Sequence, residues 1–219
     1  MFISFEGIDG AGKTTLSVAL AHQLRRHGVD VVLFHKKSIP LGVDPYVEQH
    51  LATLGRLIWD EADHQPIHLL GDAHWIRLMA AYFAAISKTV IQPALAAGRT
   101  VVTDNWYYKF FARITVNTGC PRDEFQRVFD GILEPTDVVY LELDPLVAVA
   151  RKSEFTRGEV GQHQRQGDLG DQGFVGYQST VAEFYRGLAE ERKWFTIRPA
   201  HETPEELVKL VARDLGLVT

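Results

Sequence analysis

Five short apolar runs punctuate the chain, and stretches of helical periodicity separate them. Phe2 to Phe5 is apolar until glycines interrupt it, and it reads as a buried parallel strand, because a strand covered on both faces loses polar alternation. Residues 13–27 carry Leu16, Ala19, Leu20, Gln23 and Leu24 at helical spacing, and Gly28 ends the run. A second strand is predicted over 29–34 and a loop over 40–45, followed by helices over 46–59 and 67–97. The second of these is apolar on more than one face around Leu78 to Ile86, which places it in the core or at a subunit interface, and Gly98 closes it. A third strand, 100–103, ends at Asp104, and an aromatic-rich helix follows. Pro121 opens another helix to about Leu133, a fourth strand covers 137–143, and Pro145 starts the next helix. Residues 155–173 are rich in Gly, Gln, Arg and Asp and poor in apolar side chains, which predicts a mobile lid. A helix over 174–192, a fifth strand over 194–197 and a helix over 204–215 complete the chain. Alternating strands and helices, with no repeat and no splitting linker, predict one α/β domain over residues 1–219. Its parallel five-stranded sheet carries helices on both faces.

Composition narrows the class. A chain of 219 residues with 46% hydrophobic and 23% charged residues suits one globular α/β core. The formal net charge of -5 speaks against nucleic acid or an acidic membrane as partner. Cys120 is the single cysteine, so no internal disulfide forms, which fits a cytoplasmic protein. The N-terminal Met1 to Glu6 lacks a basic region followed by an apolar stretch, so no signal peptide is expected. The apolar segment around Met79 to Ile91 is broken by Ser87 and Lys88 and is too short and polar to span a bilayer.

The most specific chemistry lies in Gly7-Ile8-Asp9-Gly10-Ala11-Gly12-Lys13-Thr14, which fits G-x-x-x-x-G-K-[ST] at every fixed position. An apolar strand precedes it and a helix follows, as a P-loop NTPase fold requires. Glycines let backbone N–H groups turn in around phosphate oxygens, and the helix N-terminus adds a positive dipole end. Gly10, Ala11, Gly12, Lys13, Thr14 and Thr15 are therefore expected to hold ATP. Lys13 bridges the outer phosphates, and the Thr14 hydroxyl ligates Mg²⁺. Asp104 ends an apolar strand, where ligands gather in open parallel sheets, so it is a second candidate for the Mg²⁺ shell or for the acceptor. Asp9, inside the loop, is a candidate to reach the acceptor or a metal-bound water.

These residues resemble the thymidylate kinase family. The opening Phe5-Glu6-Gly7-Ile8-Asp9-Gly10-Ala11-Gly12-Lys13-Thr14-Thr15 is similar to the family's start. Val90-Ile91-Gln92-Pro93-Ala94-Leu95-Ala96-Ala97-Gly98, Val101-Val102-Thr103-Asp104 and Tyr140-Leu141-Glu142-Leu143-Asp144-Pro145 follow in the family's order. The resemblance implies ATP as donor, a monophosphate acceptor and a homodimer. It places Arg151 where the family stacks an arginine on adenine, and Arg198 to His201 at the adenine edge. Some members carry an arginine inside the phosphate loop, where this chain has Ala11, and others supply it from the lid. Charge on the transferred phosphoryl group still needs a cation, so Arg157 or Arg165 of the lid is expected to close over the phosphates.

The acceptor side departs from the family at four places. Asp104-Asn105-Trp106 stands where the family has Asp-Arg-aromatic, and His35-Lys36-Lys37-Ser38-Ile39-Pro40 where it has Arg-Glu-Pro. Phe83 falls, by ungapped count, on a base-contacting arginine, and Ala112-Arg113-Ile114 on Ala-Tyr-Gln. Together these predict a rebuilt acceptor pocket, since a site that reads a base edge does so through such groups. Lys36, Lys37, Phe83, Asn105, Lys109 and Arg113 are the candidates to bind a small anionic acceptor. Trp106, Tyr107, Tyr108, Phe110 and Phe111 offer an aromatic wall, of which about two are expected to touch ligand. The leading reading is transfer of the γ-phosphoryl of MgATP to a nucleoside monophosphate or similar phosphate or phosphonate. The alternatives are a kinase for a non-nucleotide metabolite and a nucleotide-binding protein without kinase activity. A guanine-dependent switch lacks its Asn-Lys-x-Asp signature here. Asp60, Asp63, His64, His68, Asp72 and His74 cluster in sequence, but Pro66 interrupts the helical spacing that a His64–His68 metal pair needs.

Overall fold

The computed structural model describes residues 1–35, 44–60, 67–161 and 170–217. The five predicted strands form within a residue or two of their expected bounds. They are β1 (Phe2–Glu6), β2 (Val31–Phe34), β3 (Thr100–Thr103), β4 (Asp137–Leu141) and β5 (Phe195–Ile197). Their order across the sheet is β2-β3-β1-β4-β5, and every neighbouring pair is parallel. This is an α/β arrangement consistent with a P-loop NTPase fold. β1 lies at the centre, and Phe2, Ile3 and Phe5 are wholly buried, which accounts for its lack of polar alternation. The chain passes from β1 to β2 and β3 on one side and to β4 and β5 on the other. A crevice therefore opens at the carboxyl ends of β1 and β3.

Nine α-helices lie between and beyond these strands among the described residues. They are α1 (Lys13–Arg26), α2 (Pro45–Gly55), α3 (Asp72–Ile86), α4 (Gln92–Ala96), α5 (Tyr108–Thr118), α6 (Arg122–Val128), α7 (Pro145–Val149), α8 (Asp171–Arg192) and α9 (Pro204–Asp214). α1 packs on α9, while α3, α5 and α8 form a second group joined through α5. Phe83 of α3 meets Trp106 edge-on at 4.9 Å, and Trp106 meets Phe2 of the sheet at 5.2 Å. That aromatic stack ties the second helix group to the central strand.

Three expectations change. The helix expected over 67–97 is interrupted at Gly71, whose φ of 73° follows a 3₁₀ turn at Ile67–Leu70. It widens again into a π-helical turn at Ser87–Ile91. Pro93 has no N–H to give Thr89, and the Thr89 hydroxyl donates to the Ala85 carbonyl at 2.7 Å, so the regular ladder lapses there. The helix opened by Pro121 stops at Val128 rather than Leu133. Phe129 and Ile132 are buried from a turn, so their apolar spacing imitated a longer helix.

The expected lid is the third. Residues 155–161 are docked: the Phe155 ring lies 4.7 Å from Phe174, a capping box at Thr156 starts a 3₁₀ turn at Arg157–Glu159, and Gly158 and Val160 are buried. Gly161, at φ 72°, lies so close to the Tyr177 ring that a Cβ there would sit 2.4 Å from it. Residues 162–169 lie outside the described residues, and α8 begins at Asp171, earlier than the expected start at 174.

Candidate active site

β1 delivers the chain to the crevice, and the next seven residues wrap into a loop. Gly7 has φ 144°, and a Cβ on it would lie 2.7 Å from the Leu141 carbonyl oxygen. Gly10 has φ 81° and packs against Ala148 of α7. No side chain caps the N-terminus of α1, so its first-turn N–H groups remain available to an anion. The Lys13 ammonium turns back over the loop and donates to Gly7 O at 2.9 Å and Ile8 O at 2.6 Å. Burial lowers Lys13 to about 8, and Lys109 adds to this, against the opposing pull of Asp9, Glu6 and Asp104.

Glu6 lies beneath the loop without solvent exposure. Its Oε1 accepts from Ser4 Oγ at 2.7 Å and Trp106 N at 2.6 Å, and its Oε2 from the Tyr185 hydroxyl at 3.0 Å. Burial pushes this carboxyl up to about 7, even with three donors around it.

The β1–β3 pairing, with Ser4 opposite Thr103, brings the loop beside the end of β3. The Thr14 hydroxyl consequently donates to Asp104 Oδ2 at 2.9 Å. His35 Nδ1 lies 3.5 Å from the same oxygen, and Asn105 Nδ2 is 3.5 Å from Oδ1. A hydroxyl and a carboxylate oxygen side by side are hard donors suited to Mg²⁺, so the donor set fits that ion. The ion would neutralise phosphate charge there.

A cavity of about 440 Å³ opens between these groups. Of the residues the sequence nominated, Asp9, Gly10, Gly12, Lys13, Thr14 and Thr15 line it from the loop side. Asp104, Asn105, Lys109 and Arg151 close the other walls. Lys152 also lines it, a residue the sequence reading missed. A larger recess of about 580 Å³ lies at the opposite ends of β4 and β5, between Tyr108 and Trp194, away from the glycine loop. It lacks the loop's glycines and helix terminus, so the smaller cavity is the candidate site.

Asp9 lines the cavity and is also held in a cluster of charged partners. Its carboxylate is turned away from open solvent and is held by Lys109 Nζ at 2.5 Å and Arg113 Nη2 at 2.6 Å. Gln178 of α8 donates from Nε2 to Asp9 Oδ2 at 3.2 Å and accepts the Asp9 backbone N–H at Oε1, 3.1 Å away. Burial alone would raise Asp9, but Lys109 and Arg113 hold it well below the usual carboxylate range. Arg113, expected to offer charge to the acceptor, is thus engaged with Asp9 and does not line the cavity among the described residues. The same Gln178 Nε2 donates to the Glu159 carbonyl at 2.7 Å, and Glu159 Oε1 pairs with Lys152 at 2.7 Å. Gln178 and Glu159 were also missed. Gln178 sits four residues after Phe174 and seven before Tyr185, a polar residue in an apolar stripe, and that was the available signal.

Other candidates separate. Phe83 is wholly buried among Tyr82, Trp106, Tyr107 and Phe110, so it is a core residue and not a ligand contact. Trp106, Tyr107, Tyr108, Phe110 and Phe111 are all buried, and none lines the phosphate cavity, so the expected aromatic wall is core packing. Arg151 is exposed, with Nη1 at 3.5 Å from Gly10 O. Arg157 is exposed and does not line the cavity among the described residues. Arg198 pairs with Glu142 at 2.7 Å. Lys36, Lys37, Arg165, Asp63, His64 and Pro66 lie outside the described residues. Among the described residues no group of three His, Cys, Asp or Glu side chains is arranged to hold a metal.

Comparison with known proteins agrees with this geometry. No family model matches the chain. A protein of Ralstonia pickettii named thymidylate kinase is 33% identical over 213 residues, covering 95% of this chain and 94% of the relative. Thymidylate kinases of Chlorobaculum parvum and Symbiobacterium thermophilum are each 28% identical, over 219 and 217 residues. They cover 98% and 97% of this chain and 95% and 91% of their own lengths. On this near full-length similarity, and with the phosphate loop standing at the end of the central strand, the chain belongs to the thymidylate kinase family.

Proposed function

We propose that the chain is a phosphotransferase that passes the γ-phosphoryl group of MgATP to a phosphate-bearing acceptor. The relatives' name makes a nucleoside monophosphate the first class to test. The observation that carries the reading is the Thr14–Asp104 hydrogen bond at the mouth of the glycine loop. It joins a loop made for polyphosphate to a hard oxygen pair suited to Mg²⁺. In this reading the loop N–H groups, Lys13 and the start of α1 hold the donor phosphates, and Thr14 and Asp104 hold the ion. Arg151 lies over the donor base, where a guanidinium can stack on a purine. Asn105 and Lys109 face the acceptor. Lys13 must leave the Gly7 and Ile8 carbonyls when phosphate arrives. The same reading takes the chain as a cytoplasmic homodimer built through the apolar helical stretch at 72–96.

The test is ADP release from MgATP with a panel of acceptors: thymidine, uridine, cytidine, adenosine and guanosine monophosphates, and phosphorylated non-nucleotide metabolites. Turnover with at least one nucleotide, lost by about a hundredfold or more in Lys13→Met, is the expected result. Turnover only with a non-nucleotide phosphate would move the acceptor class and keep the chemistry. The wild type releasing ADP no faster with any acceptor than without one would refute the reading.

A further inference from the structure

The phosphate loop of this chain carries Ala11 and no basic side chain besides Lys13, and Arg157 stands exposed away from the cavity. Yet the transferred phosphoryl group gathers negative charge on its three equatorial oxygens, and an enzyme gains most by having cations already in place there. Of the other cations lining the cavity, Arg151 is exposed and Lys152 is paired with Glu159, which leaves Lys109 as the one held against the phosphate loop. Lys109, at the second position of α5, lines the same cavity as Gly12, Lys13 and Thr14.

Its placement is fixed from behind. A lysine is flexible, and an unheld one offers little preorganised charge. Here Asp9 Oδ1 takes the Lys109 ammonium at 2.5 Å, and the side chain is 13% exposed. Asp9 is itself pinned by Arg113 one helical turn further along α5, and by both ends of the Gln178 amide. Asp9 belongs to the phosphate loop, so α5 and the loop are locked together through it. Three cations, Lys13, Lys109 and Arg113, are gathered around this one carboxylate. That surplus of positive charge suits a polyphosphate guest. Lys13 and Lys109 also sit close enough to oppose each other's charge, a repulsion that an anion between them relieves.

We propose that Lys109 is a catalytic residue, the cation that stabilises the phosphoryl group in flight, and that Asp9, Arg113 and Gln178 position it. This rests on the phosphotransferase reading above. In the step itself an acceptor phosphate oxygen forms a bond to the γ-phosphorus while the bond to the bridging oxygen breaks. The electron pair of that bond leaves on the β-phosphate of ADP, and a dianionic acceptor phosphate releases no proton. Lys109 Nζ donates to an equatorial oxygen of the γ-phosphoryl group while keeping its contact with Asp9. The positive charge that the missing loop arginine leaves unfilled thus comes from α5 and not from Arg157.

The deciding variants are Lys109→Met, Lys109→Arg and Arg157→Ala. Two quantities are measured: kcat with the best acceptor, and the affinity for MgADP with and without fluoroaluminate, a mimic of the phosphoryl group that needs no acceptor. The wild type is expected to bind MgADP at least about tenfold tighter with fluoroaluminate than without. Lys109→Met should keep its MgADP affinity within about threefold, lose that tightening, and lose about a hundredfold in kcat. Lys109→Arg should recover a measurable part of both, and Arg157→Ala should keep both within about threefold. Lys109→Gln, which still donates to Asp9 but carries no charge, gives the same reading if Lys109→Met fails to fold. Equal tightening in wild type and uncharged variant overturns the proposal. So does a loss confined to Arg157→Ala, which returns the role to the lid. Because the fluoroaluminate ratio needs no acceptor, it decides the role of Lys109 even if the acceptor panel fails.

Discussion

Gln178→Leu tests whether the phosphate loop is held from below by α8. Gln178 is 1% exposed and makes three hydrogen bonds, to the Asp9 N–H, to Asp9 Oδ2 and to the Glu159 carbonyl. Leucine has similar volume and similar helix propensity, so the change removes these bonds with little else. The two neutral bonds contribute about 1 kcal/mol each and the bond to the carboxylate about 1.5–3 kcal/mol. The Asp9 N–H is then left buried without its side-chain partner, while Arg113 and Lys109 still satisfy the carboxylate. A gain in apolar contact offsets part, so a net loss of about 3 kcal/mol is expected. Urea unfolding followed by tryptophan fluorescence should show the midpoint falling by roughly 1.5 M at unchanged slope, for a slope near 2 kcal/mol/M. Ser179→Ala, at the next and exposed position of α8, should shift stability by no more than about 0.5 kcal/mol. A loss below about 1 kcal/mol for Gln178→Leu would show that the loop does not depend on this link.

Other expectations follow from the same geometry. Glu6 is held at about 7 against an ordinary 4.5, so between these values the folded chain keeps a proton the unfolded chain has released. Its contribution to stability therefore falls as pH rises through that window. Glu6→Gln keeps an oxygen for Ser4 and Trp106 and an amide for Tyr185. The wild-type minus variant stability should then decline from pH 4.5 to 7, and a flat or rising difference contradicts the buried proton. Phe83→Ala should cost about 3–5 kcal/mol of unfolding free energy, as a large core deletion does. A stable variant with only a raised acceptor KM would return Phe83 to the pocket. Asp104→Asn should raise the Mg²⁺ concentration for half-maximal MgADP thermal stabilisation by about tenfold or more, through loss of one anionic ligand. An unchanged Mg²⁺ dependence would remove Asp104 from the ion.

What the sequence made legible was local. The glycine spacing of residues 7 to 14 and the apolar runs ending at Glu6 and Asp104 are contiguous signals, and backbone pairing of β1 with β3 brings them together. The Asp9 cluster was not legible, because it depends on how α5 and α8 cross the loop more than a hundred residues along the chain. Lys109 and Arg113 could be nominated as cations, but their engagement with Asp9 is a matter of packing. Phe83 went astray because an ungapped count outweighed its place in an apolar helix. The docking of residues 155–161 was not legible because Gly161 reads as flexible, whereas it lets the turn approach Tyr177 of α8. The junction at 87–91 depended on a proline whose effect appears one turn upstream.

The central claim is that this cavity moves a phosphoryl group between two bound phosphates. The most direct measurement follows the label of γ-labelled ATP in the presence of thymidine monophosphate and each other acceptor of the panel, with wild type and Lys13→Met side by side. The account predicts label on a phosphate acceptor with wild type and about a hundredfold less with the variant. Label recovered only as inorganic phosphate, or at equal rates with both proteins, would contradict it.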